Sequence, residues 1–166
     1  MWALPTPGGP DDFPRLVQVM MESDPSQGSS RVARMLWAIR WKLGEWFGWD
    51  DPEAGVGARV PTLRDRLPPD LRETTAGPGA IPLPFSTVYR LDDEWAAEIA
   101  NRTVHGVVHV GWVEADAGGY RGETAVYVKP NGRLGKAYMA AIMPFRHRLV
   151  YPPMLRDMAR AWQAPR

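Results

Sequence analysis

The apolar positions of this chain change their period along its length. Near the start they recur at helical spacing: DDFPRLVQVMM aligns Phe13, Leu16, Val17 and Met20, with Asp11 or Asp12 as the cap. After the polar breaker SDPSQGSS, Ser29 or Ser30 starts a second helix over residues 31–49. Val32, Met35, Leu36, Ile39, Leu43, Trp46 and Phe47 form one face of it, and Trp37, Trp41 and Trp49 widen that face beyond a single stripe. Residues 50–84 are rich in Pro and Gly, with a short helical piece around TLRDRLPPDLRE, a length typical of a lid or binding loop. From residue 85 the period becomes two. PFSTVYRL alternates, with Phe85, Thr87, Tyr89 and Leu91 on one face. EWAAEIA reads as the next strand, although Asp92-Asp93 as a cap and the alanines leave a helix open. Asn101-Arg102-Thr103 turns into VHGVVHVGWV, DAGGYRG is a hairpin loop, and ETAVYVKP ends at Pro130-Asn131-Gly132. The last third returns to helical spacing, with Leu134, Tyr138, Ala141, Ile142, Phe145, Leu149, Leu155, Met158 and Trp162 on one face; Pro144 kinks it and Pro152-Pro153 kinks or breaks it.

Sequential short strands with tight turns predict an antiparallel sheet and an α+β domain spanning residues 1–166. Two early helices, consecutive strands and a long final helix follow the helix-grip order. In that arrangement a curved antiparallel sheet wraps around the C-terminal helix and leaves an internal cavity. The stretch PNGRLGKAYMAAIMPFRHRLVYPPMLR carries Gly132, Gly135, Tyr138, Ile142, Pro144, Phe145 and Val150 in the spacing G-x-x-G-x-x-Y-x-x-x-I-x-P-F-x-x-x-x-V. It resembles the C-terminal signature of an uncharacterised bacterial family in the START-like (SRPBCC, polyketide-cyclase-like) superfamily, which includes polyketide cyclases and the birch-pollen allergen type. WALPTPGGPDDF, WKLGEWFGWDD and EWAAEIANRTVHGVVHVGW are similar to the same family, so the resemblance covers nearly the whole chain. It implies a fold used for ligand binding and cyclase chemistry. Some such relatives carry the module after an NAD(P)-binding domain, but no strand here leads into GxGxxG. Relatives also begin with a fuller strand before the segment matching WALP. The expectation is a truncated first strand, an unpaired sheet edge and pairing of that edge in a homodimer.

Composition narrows the functional classes. A formal net charge of +1 gives no basis for nucleic-acid binding, and the absence of cysteine removes disulfides and thiolate chemistry. No apolar run reaches the ~18 residues of a membrane span, and no signal peptide follows Met1, so the expected location is the cytoplasm. The chain holds 8 Trp and 8 Met, which suit a bulky core or an apolar pocket.

Three groups of residues are candidates for chemistry. His105 and His109 share one face of their strand, opposite Val104, Val108, Val110 and Trp112. Four residues of strand separate them by about 13 Å, too far for one metal ion, so no metal site is expected there. Each can act only singly, as an acid or base in a cavity or as part of a solvated sheet face. Glu98, Asn101 and His105 form the second group. If NRT is a tight turn, Glu98 and His105 meet across adjacent strands, and a carboxylate that orients an imidazole sets up a general base. The competing reading is a cross-strand polar pair worth about 0.2–1 kcal/mol. In a helix-grip cavity, Tyr89, His109, Trp112, Tyr127, Tyr138, Ile142 and Phe145 would meet a ligand, or would be plain core. The expected function is binding of a hydrophobic or aromatic small molecule. The alternatives are a cofactor-independent cyclase, aromatase, dehydratase or lyase in the same cavity, or a protein–protein module built on helix 31–49.

Overall fold

One antiparallel sheet organises the chain, in the spatial order β1-β5-β4-β3-β2. Its strands are β1 (Trp2–Ala3), β2 (Ser86–Arg90), β3 (Glu94–Ala100), β4 (Val104–Glu114) and β5 (Tyr120–Pro130). The computed structural model describes residues 1–22, 34, 35, 38, 42, 44–46, 55–57, 60–73, 85–116 and 118–164, without the side chains of 145–147. Within those residues the helices are α1 (Phe13–Glu22), the short α2 (Pro69–Glu73), α3 (Gly132–Phe145) and α4 (Tyr151–Gln163). Short 3-10 turns cover Pro10–Asp12 and Leu63–Arg66, and a π turn covers Arg146–Val150. Of the expected helix 31–49, the described residues Arg34, Met35, Ala38, Lys42 and Gly44 to Trp46 are helical, and Met35 and Trp46 are exposed. Its other apolar positions, including Trp37, Trp41 and Trp49, lie outside the described residues.

The alternation of β4 decides which side of the sheet forms the core. Val110 and Trp112 are buried with Trp95 and Ala97 of β3, against Phe13, Leu16 and Val17 of α1 and Met158 and Trp162 of α4. Each such large side chain taken out of water contributes roughly 1.5–3 kcal/mol. The Trp112 and Trp162 rings meet at a centroid distance of 5.8 Å. Their N–H groups donate to the carbonyls of Gly9 (2.8 Å) and Pro7 (2.9 Å), so both indoles bury their bodies without stranding a donor. The histidine side of β4 is therefore the opposite face of the sheet.

β3 corrects the open helical reading of DDEWAAEIANR. Its residues are buried on both faces, Trp95 and Ala97 toward the core, Ala96 and Glu98 toward the other side. Alanine fits where the sheet is covered twice, and tertiary burial outweighs its helix propensity. β2 departs from strict alternation. A bulge between Thr87 and Tyr89 pairs Thr87 with Ala97 but Tyr89 with Ala96. The extra residue moves Tyr89 off the Phe85–Thr87 face and onto the histidine face.

The hairpin loop after β4 turns at Gly118 and Gly119, whose φ angles of 88° and 76° lie in the left-handed region that glycine enters without strain. The C-terminal helical segment continues through Pro144, then loosens into the π turn. Pro152 and Pro153 sit in the first turn of α4, where a missing N–H leaves no helical bond unmade. Helical backbone thus runs from Gly132 to Gln163, with the π turn between the two α-helices.

Candidate functional site

The site lies on the face of the sheet away from α1 and α4. In the β3–β4 hairpin Glu98 stands opposite Val107 and Ala100 opposite His105, so Glu98 reaches His105 along the diagonal. Glu98 Oε2 lies 2.9 Å from His105 Nε2. The Glu98 side chain is fully buried, and that of His105 is 13 % exposed.

The segment 62–73 secures this carboxylate from above. The Thr62 hydroxyl donates to Glu98 Oε1, and the Leu63 N–H donates to the same oxygen at 3.0 Å. Thr62 also caps the 3-10 turn that follows it, accepting the Arg64 N–H at 3.2 Å. Arg64 in turn donates to the carbonyl of Val88 at 3.0 Å, inside the bulge of β2 where the ladder leaves that residue unpaired. Its other nitrogen reaches the Arg72 carbonyl at 2.7 Å, which ties α2 to the turn. A buried carboxylate needs such compensation, because desolvation without partners costs several kcal/mol.

These contacts define the tautomer of His105. With both donors on Oε1, Oε2 is the acceptor for the ring, so Nε2 carries a hydrogen, and in the neutral ring Nδ1 is then the lone-pair nitrogen. No described residue hydrogen-bonds that Nδ1. The result is an imidazole oriented by a buried carboxylate, with its second nitrogen uncommitted among the described residues.

The same face carries a second, looser arrangement. Glu94 stands opposite Gly111, and His109 lies two residues before Gly111, repeating the diagonal of Glu98 and His105. Glu94 Oε2 is 3.5 Å from His109 Nε2 and accepts the Tyr89 hydroxyl at 3.1 Å. Burial first, and the neighbouring Glu94 charge second, push the Tyr89 pKa up to about 12, so the phenol remains a donor. Half-buried Val107 forms an apolar floor near the two pairs, flanked by the buried Ala96 and Ala125, with Tyr127 beside it at 62 % exposure.

The remaining expected residues are dispersed. Asn101 is buried in the β3–β4 turn, where its side-chain oxygen accepts the N–H groups of Thr103 and Val104, both at 2.9 Å, and the Thr103 hydroxyl at 2.8 Å. That organises the hairpin that brings Glu98 to His105. Trp112 belongs to the core on the opposite face, and Tyr138 and Ile142 are half-buried on α3. Phe145 closes α3, and its side chain lies outside the described residues. Among the described residues no group of three or more His, Asp or Glu side chains is placed to hold a metal ion. No helix among them is long and apolar enough to cross a membrane.

Residues 1–154 match a family model described as a protein of unknown function (DUF2867). The chain belongs to this family. No curated protein and no solved structure matches it. Within this DUF2867 chain, sequence reasoning missed Thr62, the Leu63 N–H and Glu94. Glu94 had a signal. Four residues back from Glu98 and four forward from His105 land on Glu94 and His109, so one hairpin register implies both pairs. Thr62 had only its capping position before LRDR, which says nothing about a carboxylate 36 positions away.

Proposed function

We propose that the chain is a cofactor-independent acid–base enzyme in which His105 is the general base and Glu98 orients it. The observation that carries this reading is the buried Glu98 clasped by Thr62 and Leu63 on one oxygen and bonded to His105 on the other, with Nδ1 of the ring bonded by no described residue. In this reading Nδ1 removes a proton from a small molecule lying on the Val107 floor. Glu98 stabilises the imidazolium that forms, and the ring returns the proton to a leaving hydroxyl or another carbon. Such chemistry covers dehydratase, cyclase and lyase reactions and needs one positioned group, with proximity supplying much of the rest.

The apolar floor and the adjacent tyrosines support a hydrophobic or aromatic substrate. The α+β order, an antiparallel sheet followed by C-terminal helices, one of them packed on a single face, supports kinship with the helix-grip, START-like proteins. The tryptophans between sheet and α4 favour the histidine face over the helix side for the substrate.

The test is untargeted mass spectrometry of a bacterial metabolite extract incubated with the protein or with His105→Gln. A compound consumed by the wild type and spared by the variant, with a rate ratio of about 10²–10⁴, is the expected result. No compound consumed in a His105-dependent way, or a His105→Gln protein that does not fold, refutes the assignment.

A further inference from the structure

The charge of this chain is unevenly placed. From Thr124 to Arg156 it carries Lys129, Arg133, Lys136, Arg146, Arg148 and Arg156 and no acid, so all 19 Asp and Glu lie outside that segment. The net charge of +1 conceals the asymmetry, because the acidic remainder cancels it. Arg133, Lys136 and Arg148 are exposed, and no described carboxylate pairs with them.

Within this basic segment, α3 is apolar where it faces outward. Gly135 and Met139 are buried and Tyr138 and Ile142 are half-buried, which at helical spacing marks one side as the packed side. The other side is exposed, and from Ala137 through Ala140, Ala141 and Met143 to Pro144 it offers no charged or hydrogen-bonding side chain. A helix covered on one side ordinarily turns polar residues to water. Leu134 is 56 % exposed and Met143 48 %, and Leu149 and Met154 beyond the helix are exposed as well. The described core is built from α1, α4 and the sheet without a side chain of α3, so core packing does not account for this apolar surface.

We propose that α3 docks the protein on the surface of an anionic lipid bilayer. Leu134, Met143 and the alanines between them enter the headgroup–acyl boundary, while Arg133 and Lys136 at one end and Arg148 at the other reach lipid phosphates. The uncharged stretch 137–144 covers about 12 Å at ~1.5 Å per residue, far short of the ~30 Å hydrocarbon core, so the helix lies on the bilayer and does not cross it. Charge selects this occupant. A second copy docking through the same surface would set one acid-free segment against another, whereas anionic headgroups neutralise it. A nucleic acid would pair with the basic side chains but leave Leu134 and Met143 in water. The proposal is independent of the role of His105.

The test is cosedimentation with vesicles of phosphatidylcholine and phosphatidylglycerol in a 3:1 ratio, and with vesicles of phosphatidylcholine alone. The chain has no cysteine, so Ala140→Cys on α3 and Ser86→Cys on β2, both exposed positions, each take a single environment-sensitive fluorescent label. The protein is expected to bind the anionic vesicles only, with a blue shift of the label at position 140 and none at position 86. Each basic residue near such a surface contributes roughly fivefold to partitioning, so Arg133→Gln combined with Lys136→Gln should lower it at least about tenfold with an unchanged melting curve. No binding to the anionic vesicles, equal binding to both kinds, an unshifted label at position 140, or full partitioning of the double variant overturns the proposal. Dimerisation or capture of a DNA duplex without vesicle binding overturns it in favour of those occupants. The metabolite assay contains no vesicles, so the catalytic reading of His105 stands or falls separately.

Discussion

Replacing Glu98 by glutamine separates a catalytic pair from a merely structural one. The glutamine side chain has nearly the same shape. Its carbonyl oxygen can accept from the Thr62 hydroxyl and from the Leu63 N–H, which lies 3.0 Å from Glu98 Oε1. The amide nitrogen then faces His105 Nε2, where the carboxylate oxygen sits at 2.9 Å. An amide nitrogen donates, so the ring must offer Nε2 as the acceptor and carry its hydrogen on Nδ1. The carbonyl oxygen and one amide N–H keep partners while the second amide N–H gains none among the described residues, and the tautomer is inverted and the base nitrogen lost.

The magnitudes follow from these contacts. The exchange trades charge-assisted bonds of about 1.5–3 kcal/mol for neutral ones of about 0.5–1.5 kcal/mol, offset by the lower cost of burying an amide. The expected net change in stability is within about 2 kcal/mol. Glu98→Ala instead leaves the Thr62 hydroxyl, the Leu63 N–H and the imidazole N–H without an acceptor, and should cost about 3–5 kcal/mol. Activity should fall by about 10²–10⁴ in the glutamine variant, as it does elsewhere when a catalytic histidine is held in the wrong tautomer. Long-range ¹H–¹⁵N correlation of the histidine side chains reads the tautomer, thermal melting reads stability, and the metabolite assay reads turnover. An unchanged His105 tautomer in Glu98→Gln, or a glutamine variant as unstable as the alanine one, would refute the reasoning.

Other perturbations test the supporting structure. Asn101→Ala removes the acceptor for three hydrogen bonds in the turn and should lower stability by about 1–3 kcal/mol; Asn101→Asp keeps the acceptor and should retain turnover, measured by melting and the metabolite assay. Gly135→Ala would set a Cβ 2.1 Å from the carbonyl oxygen of Thr103, a clash against backbone that cannot swing aside, and should cost about 1–3 kcal/mol or more in urea unfolding. Tyr89, raised by burial and by Glu94 to about 12, should ionise last in an absorbance titration at 295 nm, and Glu94→Gln should move it back toward 10. Because its folded pKa lies above the unfolded value of 10.0, its contribution to stability is complete below pH 10 and is lost as pH rises toward 12. A Tyr89 that ionises with the exposed tyrosines would contradict this.

Much of the hairpin was legible because a two-residue period is hard to mistake once turns bound it. The β4 alternation, the NRT turn and the meeting of Glu98 with His105 all follow from counting positions. The ambiguity over residues 92–102 came from alanine, whose helix propensity is local while its burial between two covered faces is not. Tyr89 was placed on the wrong side of its strand because a single-residue bulge inverts every later side chain and leaves no composition signal. Trp112 looked like a ligand contact for the reason that makes it good core: a large apolar body with one donor, here satisfied by the Gly9 carbonyl. The clasp on Glu98 was illegible because it depends on Thr62 and Leu63, 36 and 35 positions away, meeting the sheet, a contact that no periodicity encodes.

The energetics of that clasp favour a role beyond stability. A carboxylate buried against alanine neighbours costs several kcal/mol in desolvation, and its hydrogen bonds return about that amount, so a well-packed apolar side chain at position 98 would serve the fold at least as well. Breaking the arrangement would nevertheless be expensive, so it resists drift in geometry. A purely structural pair would also be expected to satisfy both imidazole nitrogens, since a polar group at 13 % exposure gains from a second partner. His105 instead has one nitrogen held by a fixed acceptor and the other bonded by no described residue, on a sheet rather than a loop, with Val107 as an apolar neighbour along the strand. That division of the ring into an anchored N–H and an available lone pair is what general-base catalysis requires, and it is why the glutamine variant, stable but with its tautomer inverted, is the decisive protein to make.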